Sequence, residues 1–196
     1  MTKLIHKTGG DCSWRTPEFI FNYYNEIYQF QLDAAADDEN ALCVRYYTEE
    51  QNALIQEWSN SNFLNPPFSP NSLQKQFIHK AVTEACKDRT TVCLIPSRTE
   101  TKIWQDFVFP YASVIDFLDE RLHYSYCENP SGYPSAIVVF DSSSKKRFSG
   151  IRSDMTPSII GPMQLRFMPG YKEYKEKIKA NKEKADLMKV VHDQNV

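Results

Sequence analysis

Glycine is scarce in this sequence, with six glycines among 196 residues. No two of them form a GxG pattern, so the glycine-rich loop that marks many nucleotide-binding sheets offers no basis for assigning a ligand. The five cysteines are odd in number and widely spaced, and no CxxC pair occurs. These absences argue against a disulfide framework and against a metal site, and they favour a reducing cytoplasm as the location.

Strong charge and long hydrophobic runs are also missing. The net charge is −2 and the isoelectric point is about 6.1, so a nucleic-acid partner would have to be attracted by local basic patches. No apolar run approaches the length of a transmembrane helix, so no membrane partner is expected. With 41% hydrophobic and 13% aromatic residues, the chain can bury the core of one ordinary domain.

The chain alternates between helical and strand patterns. Apolar spacing and capping residues predict helices at residues 17–28, 49–58, 73–87 and 100–109. Apolar or β-branched runs predict strands at residues 30–35, 62–64, 90–95, 113–118 and 136–140, and a further candidate lies at residues 121–126. This alternation indicates an α/β sheet with crossover connections, whose ligands bind beyond the carboxyl ends of the strands.

The composition changes after Phe140. Residues 141–170 are polar, contain Gly and Pro, and are locally basic, which predicts a loop that could carry a hairpin. Residues 171–196 have the pattern of a charged, lysine-rich helix. That helix has two interpretations: a solvated terminal helix, or an arm that binds nucleic acid or another partner.

The stretch NFLNPPFS at residues 62–69 places two consecutive prolines directly after an apolar run. Proline lacks an N–H group and has a fixed φ, so the pair excludes a helix or a central strand and predicts a stiff corner at a strand end. The corner is either only a rigid strand end or a site. As a site, the Asn65 oxygen and the Pro66 carbonyl could hold the two N–H groups of an exocyclic amine on a nucleobase. Phe68 could stack on that base, which is worth about 1–3 kcal/mol.

The residues Asn65-Pro66-Pro67-Phe68 resemble the (Asp/Asn/Ser)-Pro-Pro-(Tyr/Phe) signature of amino-methyltransferases that use S-adenosylmethionine. Such enzymes act on adenine, cytosine or protein glutamine. The similarity extends, in order, through WRTPEFIFNYYNE, FQLDAA, NALIQEW, TVCLIPSRTETKIWQDFVF, RLHYSY and PSAIVVF. Over roughly residues 14–140 the chain looks like the phage-type DNA N6-adenine methyltransferase family.

This resemblance implies a Rossmann-like methyltransferase sheet flanked by helices and shortened between its first strand and the NPPF strand. It implies transfer of a methyl group from S-adenosylmethionine to the N6 amine of a flipped-out adenine in double-stranded DNA, often to protect phage DNA from host restriction. Residues 1–140 would form the catalytic domain, and a phage-encoded protein would work in the cytoplasm of the host cell.

The resemblance also assigns residues to roles. The catalytic motif is Asn65, Pro66, Pro67 and Phe68, and the cofactor-binding residues are Thr16, Pro17, Asp33, Ala34, Ala35 and Asn52. The expected DNA contacts are Ser69, Arg98, Thr99 and Lys102, together with Lys145, Lys146 and Arg147 of the locally basic segment that lies beyond the resemblance. Three of these have a second interpretation: Thr16 as a helix cap, Asp33 as a capping aspartate at a strand end, and Arg98 as a surface ion-pair partner.

The chain departs from the family pattern at Asn52, where the family usually carries an acid. An amide oxygen accepts a hydrogen bond more weakly than a carboxylate does. Together with the missing glycines, this departure supports a second hypothesis, a catalytically degenerate DNA-binding module of the same fold. The NPPF signature is also compatible with an amino-methyltransferase that acts on cytosine N4 or on protein glutamine, although its Asn favours adenine over cytosine.

Overall fold

The computed structural model describes residues 14–142 and 158–193, which build a six-stranded sheet. Its strands follow the spatial order β1-β2-β3-β5-β4-β6. Their bounds are Leu32–Asp33 for β1, Ser61–Leu64 for β2, Thr90–Pro96 for β3, Val114–Leu118 for β4, Ser135–Phe140 for β5 and Ser158–Met163 for β6.

All strands except β5 run in the same direction. β1, β2 and β3 are parallel neighbours, and β4 is parallel to β6. β5 is inserted antiparallel between β3 and β4. The mixed sheet with flanking helices confirms the predicted α/β, Rossmann-like class, and it places the carboxyl ends of β1, β2 and β3 along one edge.

Among the described residues, the helices that flank the sheet are α1 at Glu18–Tyr28, α2 at Asn71–Ala85, α3 at Phe109–Tyr111 and α4 at Tyr171–Asp193. α1 and α2 lie within two residues of their predicted bounds. Neither begins with a side-chain cap, because Pro17 and Pro70 occupy the two N-cap positions. The predicted cap role of Thr16 is therefore wrong, and its hydroxyl has another partner, described below.

The helix predicted at residues 49–58 is absent, and this described segment forms turns. Asn52 adopts a φ of 53°, a left-handed conformation that cannot continue a right-handed helix. The segment is fixed instead by tertiary contacts, since the buried Trp58 indole donates to the Ala53 carbonyl at 2.9 Å. Local apolar spacing therefore gave the wrong element here.

Two other predicted elements differ from the structure. The helix expected at residues 100–109 contains a π-helical turn, Trp104–Val108, and α3 continues through Pro110, which was expected to end it. Beyond Pro110 the turn closes where the Ala112 N–H donates to the Val108 carbonyl at 2.8 Å. The strand candidate at residues 121–126 is a short 3-10 helix, Tyr124–Tyr126, in which Ser125 has a φ of 52°.

The segment after Phe140 contributes more to the fold than its composition predicts. β6 falls inside the predicted polar loop and pairs parallel with β4, a strand distant from it in sequence. The predicted C-terminal helix is present, and its first turns pack on the domain. Tyr174 is 3% exposed, and its hydroxyl accepts a 2.6 Å bond from the His123 N–H. A separate domain at residues 1–140 stays a prediction.

Both faces of the sheet are covered by core. Alternate strand residues such as Leu64 and Cys93 pack with α2 on one face, whereas Phe63 and Val92 pack with α1 and the start of α4 on the other.

Cys43, Cys86 and Cys93 are free thiols, and Cys127 takes part in a disulfide bond that the cysteine spacing did not predict. Within residues 14–142 and 158–193, no helix combines the length and apolarity that crossing a membrane requires.

Candidate active site

Asn65 is the first residue after β2, at the edge where the parallel strands end. Its side-chain nitrogen donates two hydrogen bonds, to the Trp14 carbonyl at 2.7 Å and to the Thr16 hydroxyl at 3.1 Å. A backbone carbonyl can only accept, so the amide nitrogen must face Trp14. This contact fixes the orientation of the whole amide group.

The opposite atom of the same amide, Asn65 Oδ1, is buried and has no hydrogen-bond partner among the described residues. An unpaired buried acceptor is costly, about 1–3 kcal/mol, so such atoms usually have a ligand to satisfy them. The protein therefore holds a hydrogen-bond acceptor with a fixed direction at the carboxyl end of β2.

Phe68, three residues further on, belongs to a cluster of three aromatic rings. Its centroid lies 5.0 Å from the Trp14 ring and 5.8 Å from the Tyr124 ring, with edge-to-face geometry in both pairs. Tyr124 is buried, and its hydroxyl lies 3.0 Å from Ser135 Oγ. Burial raises the pKa of the Tyr124 phenol, so it stays protonated. Rigid edge contacts of this kind fix the Phe68 ring while it is only partly buried.

A first cavity of about 600 Å³ opens beside Phe68. Trp14, Phe68 and Tyr124 form one wall, and the rest of the lining comes from α2, from the end of β3 and the segment after it, and from Ser131, Tyr133 and Ser135. The volume lies in the range of small-molecule sites. A planar ring that enters this cavity would contact the Phe68 side chain.

A second cavity of about 530 Å³ lies on the other side of residues 14–16 and is lined by Arg15, Thr16, Glu39, Leu42 and Ser125, among others. The Arg15 guanidinium bonds Glu39 through one terminal nitrogen at 2.7 Å, while its buried Nε has no partner in the described part of the chain. Backbone bonds hold Arg15 in place: its N–H donates to Ser125 Oγ at 3.2 Å, and its carbonyl accepts from the Ser125 N–H at 3.0 Å. Thr16 lines this second cavity, whereas Asn65, which donates to the Thr16 hydroxyl, is a lining residue of neither cavity.

Asp33, the last residue of β1, turns its carboxylate toward its own loop. Oδ2 accepts a 3.2 Å bond from the Leu42 N–H, and Oδ1 lies 3.5 Å from the Ala35 N–H. The residue is 3% exposed, and this burial raises its pKa from 3.8 to about 6, against the lowering effect of those two N–H groups. Because Leu42 lines the second cavity, Asp33 fixes part of that cavity's wall.

The other predicted cofactor residues differ in their burial and in their position relative to the two cavities. Pro17 and Ala34 are buried, and Ala35 is half-buried next to Asp33. Asn52 is exposed, lines neither cavity, and uses its side-chain oxygen to accept from the Leu54 N–H at 3.3 Å. Of the six predicted residues, only Thr16 lines a cavity itself.

The predicted DNA contacts are also divided. Arg98 and Lys102 line the first cavity, and the Arg98 guanidinium lies over the Tyr133 ring at 4.7 Å while Nε donates to Glu100 at 3.2 Å. The Glu100 contact is the ion pair of the second interpretation, and a DNA contact of Arg98 stays a prediction. Ser69 is exposed and Thr99 lies outside the lining. Lys145, Lys146 and Arg147 lie outside the described residues.

Several site residues were not predicted from the sequence. Trp14 and Tyr124 lie in stretches that carry the family resemblance but were given no role. The cavity residue Gln74 carried no local signal, because it reaches the site only through the fold. Arg15 stands beside the predicted Thr16 and could have been included with it. In the described part of the chain, no three His, Cys, Asp or Glu side chains are grouped to hold a metal ion.

Comparison with known proteins shows the family to which the chain is similar. A family model described as DNA N-6-adenine-methyltransferase (Dam) matches residues 4–155. A DNA N-6-adenine-methyltransferase of Escherichia phage T1 is 32% identical over 91 residues, which cover 45% of this chain and only 37% of that relative. A protein of the same name from Haemophilus phage HP1 is 28% identical over 151 residues, which cover 72% of this chain and 85% of the relative.

A bacterial relative is similar over a shorter stretch. The putative methyltransferase YfdM of Escherichia coli K12 is 43% identical over 70 residues, which cover 32% of this chain and 76% of the relative. The family match includes the NPPF corner, both cavities' principal walls and every strand from β1 to β5. Since that match extends over most of the sequence, the chain belongs to the DNA N-6-adenine-methyltransferase family of transferases.

Proposed function

We propose that this protein transfers a methyl group from S-adenosylmethionine to the N6 amine of adenine in double-stranded DNA. The observation that supports this most directly is Asn65 Oδ1, a buried acceptor with a fixed direction and no partner among the described residues. The family to which the chain belongs, and the printed names of its phage relatives, supply the substrate class.

The Asn65 acceptor suits the electronic change during transfer. The lone pair of an aromatic amine is delocalised into the ring, so the nitrogen must become tetrahedral before it attacks a methyl group. Asn65 Oδ1 would accept one N–H of the amine and the Pro66 carbonyl the other. Because the nitrogen gains positive charge as the bond forms, both hydrogen bonds strengthen in the transition state, which lowers the barrier.

Phe68 would stack on the target base. In a duplex the amine is paired and enclosed, so the base must leave the helix at a cost of a few kcal/mol. Stacking on an aromatic side chain is worth about 1–3 kcal/mol and offsets part of that cost. The first cavity, which Phe68 lines, is the proposed receptor for the flipped base.

The second cavity is the proposed site for S-adenosylmethionine. The unpaired Nε of Arg15 suits the ligand's carboxylate, and the nearby Glu39 side chain suits its amino group or ribose hydroxyls. The cofactor supplies a methyl group on a sulfonium. The chain's own contribution is to hold that ligand on the Thr16 side of Asn65, with the base on the Phe68 side, so that positioning accounts for most of the acceleration.

Methylation of mixed-sequence duplex DNA by the purified full chain, followed by base-resolved methyl detection, tests the proposal. We expect N6-methyladenine, in a reaction that depends on S-adenosylmethionine and is abolished by Asn65→Ala. The matched control is Asn22→Ala, which removes an exposed asparagine on α1. Methyl groups found only on cytosine, or only on protein, would contradict the adenine assignment.

A catalytically degenerate DNA-binding module is the second candidate. The observation that favours it is Asn52, which is exposed and bonded within its own turn, away from both cavities. Calorimetry with S-adenosylmethionine separates the two candidates. A degenerate module would bind DNA but not the cofactor, whereas the proposed enzyme binds both.

A further inference from the structure

Gln74 lies one turn into α2, six residues after Phe68, and lines the first cavity. Its side chain is 7% exposed, and its Nε2 atom is buried without a hydrogen-bond partner in the described part of the chain. Glutamine is seldom so buried. A buried amide nitrogen without an acceptor loses its hydrogen bonds to water and gains none within the protein, which destabilises the folded state.

Several other polar groups of this cavity are already paired. Tyr124 and Ser135 bond each other, Ser131 Oγ donates to the Tyr133 carbonyl at 2.6 Å, and Lys75 and Arg98 pair with Asp106 and Glu100. Of the five buried, unpaired side-chain atoms in the described residues, only Gln74 Nε2 belongs to a residue that lines this cavity. Gln74 therefore brings to the wall of this cavity a buried amide nitrogen that has no hydrogen-bond partner among the described residues.

We propose that Gln74 is a specificity-determining residue whose Nε2–H group donates to an unprotonated ring nitrogen of the target base, N1 or N7 of adenine. This inference rests on the proposed function. N1 is bonded to C6, which carries the exocyclic amine, and N7 lies on the other side of that amine; both are acceptors in adenine. A guanine presents an N–H at N1 and a carbonyl instead of the amine, so a Gln74 bond to N1 would reject guanine, as Asn65 would. A Gln74 bond to N7, an acceptor that guanine shares, would select purines over pyrimidines.

In this arrangement two side-chain amides recognise adenine, one as a hydrogen-bond acceptor and the other as a hydrogen-bond donor. Asn65 offers an unpaired oxygen for the amine hydrogens, and Gln74 offers an unpaired nitrogen for a ring acceptor. A site built to form a polar contact rejects a ligand that lacks the matching atom, because the buried protein group is then left unpaired. Gln74 would therefore act on the choice of base.

A combined substitution of the protein and of the substrate tests this. Methylation rates are measured for duplexes whose target adenine is normal, 1-deazaadenine or 7-deazaadenine, using the wild type and Gln74→Met, which is similar in size but lacks the donor. We expect the wild type to prefer adenine over one of the two analogues, and the variant to lose about tenfold of that preference. The analogue that shows the loss identifies the ring nitrogen.

Comparing the two ratios cancels the intrinsic reactivity of each analogue, since that is the same for both proteins. Gln76→Met is the matched control, because Gln76 is an exposed glutamine on the same helix that does not line the cavity. It should leave both ratios unchanged. Thermal unfolding of Gln74→Met should show a melting temperature equal to or above that of the wild type, because an unpaired buried donor has been removed.

The possible outcomes distinguish failure of the Gln74 role from failure of the proposed methyltransferase function. If Gln74→Met slows methylation equally on adenine and on both analogues, Gln74 has only a packing role and the inference is overturned. Retention of every wild-type ratio by Gln74→Met has the same consequence. If the wild type methylates no adenine in any duplex, it is the proposed function that has failed.

Discussion

The Asn65 side chain uses its nitrogen to bind the protein and leaves its oxygen unpaired among the described residues. We predict that Asn65→Ala lowers the single-turnover methylation rate by about 100-fold or more, the range seen when a preorganised polar group is lost. Equilibrium DNA binding should change little, because the lost bond strengthens mainly in the transition state. Near-normal turnover would reduce NPPF to a rigid strand end.

Substitution of Phe68 should affect different steps from substitution of Asn65. Phe68→Ala removes stacking that stabilises the flipped base both before and during transfer, so DNA binding and rate should fall together. Phe68→Tyr and Phe68→Trp keep a ring and should remain active. Phe167→Ala is the control, since Phe167 is 75% exposed and lines neither cavity. Equal loss in the Tyr, Trp and Ala variants would exclude stacking as the role.

Asp33 makes the stability of the protein depend on pH. Its pKa is about 6 in the folded chain against an ordinary value of 3.8, so between these values the folded state binds more protons than the unfolded state. Stability should therefore fall as pH rises from about 4 to 6, by up to roughly 3 kcal/mol relative to Asp33→Asn. Urea unfolding of both proteins at pH 4, 5, 6 and 7 measures the difference. A constant difference would show that Asp33 does not titrate in this range.

Sequence reasoning was strongest for residues whose roles follow from their own chemistry. Asn65 and Phe68 could be proposed because two prolines fix the backbone between them. Asn52 could not be placed, because its left-handed conformation depends on the turn around it. Gln74 gave no signal, and Tyr124 was given no role although it lies in the RLHYSY stretch, since a polar residue in a helix and a tyrosine in a loop acquire a role only when the fold brings them to a cavity.

At the scale of elements, α4 has two parts. Its first turns are anchored by Tyr174 in the core and by Lys175, which bonds Glu120 at 2.7 Å. We predict that deleting residues 171–196 destabilises the domain by about 3 kcal/mol or more, as for other buried aromatic side chains. Deleting residues 182–196 should leave the melting temperature unchanged, because Asn181, which bonds the Tyr126 carbonyl, is retained.

The shorter deletion also separates the two interpretations of the C-terminal helix. DNA binding is measured against salt concentration for the full chain and for the chain that ends at residue 181. A shallower salt dependence after deletion would identify a DNA-binding arm, because fewer phosphates are neutralised. An unchanged dependence would identify a solvated helix. Unfolding of the shorter variant would contradict the division of α4 into two parts.

Elements were predictable where local pattern and tertiary environment agree. β3 and β5 are mostly apolar and almost entirely buried, so their existence followed from the sequence. The antiparallel direction of β5 did not, because strand direction depends on the path of the connecting segments. β6 was not predicted because it contains Gly161 and Pro162, which are uncommon in strands. The strand tolerates them because it is the last in the sheet order and needs fewer of its backbone groups paired.

At the scale of the whole molecule, the contact between Arg15 and Ser125 joins positions 110 residues apart in sequence. The segment that bears Arg15 contributes Trp14 to the wall of the first cavity and Arg15 and Thr16 to the wall of the second, yet it belongs to no strand or helix, and Trp14 is 40% exposed. Such a segment can open locally at a free-energy cost below that of global unfolding.

We therefore expect the protein to lose its activity under milder conditions than those that unfold it. We predict that in a urea titration methylation activity disappears at a lower concentration than the signal of the buried Trp58 and Trp104, because detachment of residues 14–16 removes the partners of Asn65 while the sheet persists. Hydrogen exchange should show the Arg15 and Ser125 amides unprotected before those of β3. Coincident loss of activity and fluorescence would mean that the segment and the sheet unfold as one unit. Storage conditions judged by fold alone would therefore overestimate how much active protein survives.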